Sequence, residues 1–209
     1  MPAPALRTAL FCVVLAASPF AAAQDTSKPI LLVASPSLEG AFSRTTLVAI
    51  PVQGKHLGFI LNRATDLKLS TLFPDHAPSA RVAAPLYIGG PEMNEALFAV
   101  VPRDPGDKAL LLFGGLYVTG KAESIDRIIE QTPNDARFFS GFVGWQPGEL
   151  QGEIERGMWY VAEPEAGLVF SADPNGMWEA LVTRLDGQPG VKQPVRGVRL
   201  PLLEARRLP

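Results

Sequence analysis

The chain has 209 residues, 47% of them apolar and 19% charged, with 19 basic against 21 acidic side chains and a formal net charge of −2. That length suits one domain with a substantial core. The charge balance argues against a chain built to grip phosphate backbones, which shows a clear basic excess on one face.

The first segment reads as a leader. Arg7 supplies a short basic start, Ala9 to Ala17 is apolar, Ser18-Pro19 breaks the run, and Ala21 and Ala23 occupy the small-residue positions before a cleavage point. This pattern predicts a secretory signal peptide over residues 1–23, cleaved before Gln24, and an exported product, periplasmic or secreted. The apolar run is about half of the ~20 residues that a membrane anchor needs. Cys12, the only cysteine, falls inside the run. Its removal leaves a mature chain with no disulfide, no Cys-ligated metal and no thiol nucleophile. Cleavage also removes one Arg and no acid, leaving 18 basic against 21 acidic residues. No later run is long and apolar enough to suggest a second membrane segment, so the product is expected to be soluble.

Residues 24–187 are expected to form the domain. Ile30 to Ala34, a continuous apolar run ended by Ser35-Pro36, reads as a buried strand. Thr45 to Val52 and His56 to Asn62 flank Gln53-Gly54 and predict a hairpin. Ser70 is placed as the cap of a short helical turn that Pro74 stops after Phe73. Further strands are expected over residues 86–88, 96–101 and 109–113, each punctuated by Gly or Pro.

Ile125, Ile128 and Ile129 share one face of a helix over residues 123–131. A second helix is expected from Pro147, aligning Leu150 with Ile154. A third has Asp173 as its cap and Trp178, Leu181, Val182 and Leu185 on one side. Strands and helices mix without regular β-α alternation, which favours α+β. Residues 188–209 form a Pro, Gly and Arg-rich extension, read as an extended strand or a partly ordered tail. Its cations Lys192, Arg196, Arg199, Arg206 and Arg207 would either touch anionic lipid or polysaccharide or just solvate a flexible end.

Several local patterns coincide in order. Ser35-Pro36-Ser37-Leu38 with Phe42-Ser43-Arg44-Thr45, then Gly58 to Arg63, Tyr87-Ile88-Gly89-Gly90-Pro91, and Gly141 to Leu150 with Glu153 and Trp159 beyond, together resemble the YqgE/AlgH family over about residues 30–187. The resemblance implies an α+β fold in which a bifurcated mixed sheet folds into a pseudo-barrel with about three helices packed on it. It also brings the label of transcriptional regulator, which names no mechanism. The chain departs from the family pattern at Glu149, where Gln is usual, at Gln151, where an acid is common, and after Gly187. The leader is a fourth departure, since typical members look cytosolic.

Each candidate site admits a chemical and a structural reading. Asn62-Arg63 could bind a carboxylate or phosphate, or else Asn62 shapes a turn while Arg63 pairs with a nearby acid. Gly89-Gly90 could offer backbone N–H groups to an anion, or else makes a tight turn that needs positive φ. Trp145 could floor a groove, or else plugs the core against Trp159, and Glu149 sits where a helix start favours a carboxylate. A hydrolase would draw on Ser35 or Ser37 with His56 or His76 and Asp66, but no nucleophile elbow is present. Glu149 and Glu153 could form an acid/base pair or a hard-cation site, or else lie on a solvated face.

No cofactor and no metal site is expected. The reading is therefore an exported, non-catalytic binding or interaction module of the cell envelope. Its surface would combine Asn62, Arg63, Gly89, Gly90, Trp145 and Glu149, and its partner would be a protein or a small anionic ligand. Nucleic acid is disfavoured by export. The alternatives are the family's regulator label and an unrecognised hydrolase.

Overall fold

The computed structural model describes residues 25–188 and Val191. The leader over residues 1–23 and, Gln188 and Val191 apart, the C-terminal extension lie outside the described residues.

Among the described residues, nine strands form one sheet. β1 (Ile30–Ala34) pairs with β2 (Thr46–Val52), which forms a hairpin with β3 (Lys55–Ile60). At the hairpin tip Gln53 and Gly54 both have positive φ, +49° and +79°, as a two-residue turn matched to strand twist requires. β4 (Tyr87–Ile88) and β5 (Glu92–Val101) follow. Next comes a second hairpin, β6 (Leu110–Phe113) with β7 (Leu116–Thr119), and the last strands are β8 (Arg137–Trp145) and β9 (Trp159–Ala162). The sheet order is β6-β7-β5-β8-β3-β2-β1-β9, antiparallel throughout, and β4 adds a parallel pairing to β8.

The sheet forks at β8. Its first half carries β4 beside Phe139 and Ser140, while its second half carries β3 beside Val143 to Trp145. The β4 segment wedges between β8 and the chain that continues β3. The Gly89 amide donates to Ser140 O, and the Ile60 amide donates to Gly89 O. This is the expected α+β fold with a bifurcated mixed sheet.

The sheet also curls. One of its faces gathers residues from all nine strands, among them Leu31, Val48, Phe59, Tyr87, Val100 and Phe139, into a single core, and α5 (Met177–Leu185) packs Leu181 and Leu185 onto it. A face to which every strand contributes is the inner face of a half-barrel. The outer face is covered in two patches. α3 (Glu149–Glu155) covers Leu32, Ala49 and Trp145, and α2 (Ala122–Gln131) covers Ala99, Val101 and Phe138. β1 faces both cores, which is why all five of its residues are apolar and buried.

Three helices of seven to ten residues thus match the expected number, and two one-turn helices, α1 (Leu69–Leu72) and α4 (Ala166–Val169), join them. Two start points differ from the sequence expectation. Ser70 lies inside α1 and caps nothing. Asp173 accepts the Gly176 amide at 2.9 Å, so it closes the turn ahead of α5 and does not cap the helix itself. Three strands, β7, β8 and β9, were not expected from the sequence.

Candidate functional site

Gly141 explains the local shape of β8. Its φ of +67° inserts a bulge, beside a register shift of the β5 pairing between Glu92 and Leu97. Before the bulge Phe139 faces the inner core. After it Phe142 still packs inward, while Val143 and Trp145 turn to the outer core under α3. The Gly-Gly-Pro turn rests on this bulge. A Cβ on Gly90 would lie 2.2 Å from the Phe142 backbone, and one on Gly89 would lie 2.2 Å from Gly141 O. Neither glycine is among those with positive φ, so the turn needs them for close backbone approach and not for left-handed φ.

Trp145 is 1% exposed. Its indole Nε1 donates to Glu153 Oε2 at 3.0 Å, and Trp159 Nε1 donates to the same oxygen at 3.0 Å. Glu153 is itself 1% exposed, so it is a core acceptor for two indoles and not part of a solvated face. Glu149 points elsewhere. Its Oε2 accepts the Gln146 amide at 2.9 Å and fixes the turn into α3, where Gly148 takes a φ of +79°. The two carboxylates therefore serve separate environments.

Asn62 and Arg63 act on the loop between β1 and β2. Asn62 Oδ1 accepts from Thr46 N and its Nδ2 donates to Arg44 O, both at 2.8 Å, so the amide extends the β2 ladder by one rung. Arg63 Nη2 donates to Ala41 O and, at 2.8 Å, to Thr45 Oγ1. Among the described residues no carboxylate pairs with Arg63, in contrast to the acid partner considered above. Burial pushes its guanidinium down from the ordinary value, though an arginine stays charged.

The seryl and histidyl groups of the hydrolase alternative are not joined. Ser35 Oγ lies 2.8 Å from Ser37 Oγ, His56 Nε2 lies 2.8 Å from Thr26 O, and His76 Nδ1 lies 2.8 Å from Ser79 Oγ. The last is a Ser–His contact the sequence reading did not single out, but Ser79 is fully buried within one 3₁₀ turn (Ala77–Arg81).

What the fold does assemble is a cleft of about 360 Å³ between the β2–β3 hairpin and the end of β8. Lys55, His56 and Gln53 come from the hairpin, Phe142, Gly144 and Gln146 from β8 and the turn after it, and Glu92 from just beyond the Gly-Gly-Pro turn. His56 pairs with Trp145 across the ladder, which brings the hairpin to this end of β8. With Nε2 facing a carbonyl, His56 carries its proton there, and its buried Nδ1 has no hydrogen-bond partner among the described residues. The cleft joins the surroundings of Gly90, Trp145 and Glu149, while the side chains of Asn62 and Arg63 are directed to the β1–β2 loop. Lys55 and Glu92 escaped the sequence reading, while Gln146 lies in the Trp145 to Glu149 segment that it singled out. The three are far apart in the chain, and the β3–β8 and β5–β8 pairings relate them.

Comparison with known proteins places this geometry. The AlgH-like family profile matches residues 31–190. The UPF0301 protein of Chlorobium luteolum is 34% identical over 165 residues, covering 76% of this chain and 85% of its own length. The UPF0301 protein of Parabacteroides distasonis is 32% identical over 164 residues, covering 74% and 81%. Among solved structures, a crystal structure of a protein from Corynebacterium diphtheriae superposes with a TM-score of 0.63 at 26% identity, covering 80% of this chain and 90% of that one. The solution structure of the AlgH protein from Pseudomonas aeruginosa superposes with a TM-score of 0.65 at 22% identity, covering 78% and 91%, a likeness of fold.

Proposed function

The chain belongs to the AlgH-like family, whose relatives here carry no enzymatic name, and on that premise we propose a non-catalytic binding module of the cell envelope. In this reading the chain is exported with cleavage before Gln24, and a small anionic ligand or a segment of a partner protein occupies the cleft beside the β2–β3 hairpin. One observation carries the reading. A concavity within the size range of small-molecule sites gathers an ammonium, an imidazole and two amide side chains, with the carboxylate of Glu92 at one side, around an apolar strip of Leu57 and Phe142.

The regulator label is less well supported by the surface. The exposed side of α2, the longest helix among the described residues, carries Glu123, Asp126 and Glu130 against Arg127, and like charge repels phosphate.

The test is to fractionate the native cells and weigh the endogenous protein by native mass spectrometry, both alone and as a Lys55→Glu/Gln146→Ala variant. The expected result is a periplasmic or secreted form that begins at Gln24 and retains a small mass which the variant loses. A cytosolic form starting at Met1 would overturn the export reading. An unchanged bound mass in the variant would overturn the cleft.

A further inference from the structure

Beyond that reading, we propose a second site: the groove on the inner face of the curl, between β3 and the β6–β7 hairpin, binds the carboxylate of a medium-length acyl chain. The groove measures about 270 Å³, and its floor is apolar, made by Leu57, Phe59, Phe98, Leu110 and Val118. Gly120 keeps it open next to Phe98, since a Cβ there would meet the ring at 2.9 Å. Leu57 is the one side chain it shares with the hairpin cleft.

Charge at the mouth selects the ligand. Lys108, Lys121 and Asp107 stand there. Asp107 is already engaged. Its Oδ2 accepts from Ser124 Oγ at 2.8 Å and from Arg127 Nη2 at 2.6 Å, and those two partners, with the nearby charge of Lys121, hold its carboxyl below the usual range. Lys108 and Lys121 are exposed and have no ion-pair partner among the described residues. Two ammonium groups over an apolar floor, outside any contact ion pair although Lys121 feels the charge of Asp107, fit an amphipathic anion, with its head at the lysines and its chain along the phenylalanines.

Size and surroundings narrow the class. The volume corresponds to about nine units of water or methylene size, which matches a medium-length acyl chain and is too small for a folded peptide. At the outer edge, Leu110 of β6 is 37% exposed, so the apolar floor runs out to the last strand in the sheet order among the described residues, over which a chain end can lie.

The experiment titrates the purified full chain with decanoate and with decanol, both below micelle formation, by calorimetry and by methyl NMR. Decanoate is expected to bind one to one, at least tenfold tighter than decanol, with shifts at Leu110 and Val118. Lys108→Glu/Lys121→Glu should lower decanoate affinity at least tenfold and leave decanol affinity and the thermal midpoint unchanged. Should the double reversal fail to fold, Lys108→Gln/Lys121→Gln carries the same expectation with a smaller loss. Absence of saturable decanoate binding overturns the proposal. So does binding that ignores the lysine substitutions, or methyl shifts confined to Val52 of the hairpin cleft.

Discussion

Glu153 shows how much one side chain can hold in this molecule. Its single oxygen Oε2 accepts two indole N–H groups in a core from which water is excluded, so both donors depend on it. Leaving a buried donor unsatisfied costs about 1–3 kcal/mol. Glu153→Leu, similar in reach but without an acceptor, is therefore expected to destabilise the fold by about 2–4 kcal/mol. Glu153→Gln keeps a carbonyl oxygen for both indoles and should cost under about 1 kcal/mol. Urea denaturation of the two variants decides the matter. Equal losses would mean that the charge, and not the acceptor, is what the two tryptophans require. The sequence hid this role, because Glu149 and Glu153 stand four apart on one helix, the spacing of a solvated stripe. Only the burial of α3 against Trp145 and Trp159 separates them.

Among the elements, β4 decides the fork of the sheet with only two residues. Its turn lies backbone to backbone on the Gly141 bulge, so a methyl group at Gly90 would collide with main chain that cannot swing aside. Gly90→Ala is expected to cost about 3 kcal/mol or more, as overpacking against rigid backbone does. Gly54→Ala, with open space around it, should cost only the left-handed penalty of about 1–2 kcal/mol. Thermal denaturation of the pair tests this, and similar losses at both sites would refute the wedge. The same elements show what could be read beforehand. β1, the β2–β3 hairpin and α2 were legible because continuous burial, a Gly-bearing two-residue turn and an isoleucine stripe are local signals. β8 was not legible. Its inward and outward positions change parity at Gly141, and three of its neighbours in the sheet come from other parts of the chain. The cleft depends on the β3–β8 and β5–β8 pairings, so the place of Lys55 and Glu92 in it was invisible for the same reason.

At the scale of the whole molecule, three cores share one sheet, and β8 is the strand through which they meet. Phe139 is fully buried in the inner core, against Phe59 and Tyr87 at ring-centroid distances of 5.4 and 5.7 Å, and its neighbour Phe138 faces α2 on the other side. Arg137 at the head of β8 donates to Tyr87 Oη and to Val169 O, which binds the strand to the end of α4. A sheet joined in this way should open as one cooperative unit, although its two outer cores never touch the same helix. The three tryptophans report one side, since Trp145 and Trp159 lie under α3 and Trp178 on α5 donates to Ala34 O. Amide exchange at Ile125, Ile128 and Ile129 reports the other side. Phe139→Leu, which thins the centre by one ring, is expected to destabilise by about 1–3 kcal/mol. Tryptophan fluorescence and the exchange of α2 should then shift by the same free energy. If α2 kept its protection while the fluorescence transition moved, the β6–β7 side would be a separate folding unit and the fork at β8 a hinge between two. Equal shifts would mean that a ligand bound at either cleft stabilises the entire domain, since each cleft is built on strands that β8 ties together.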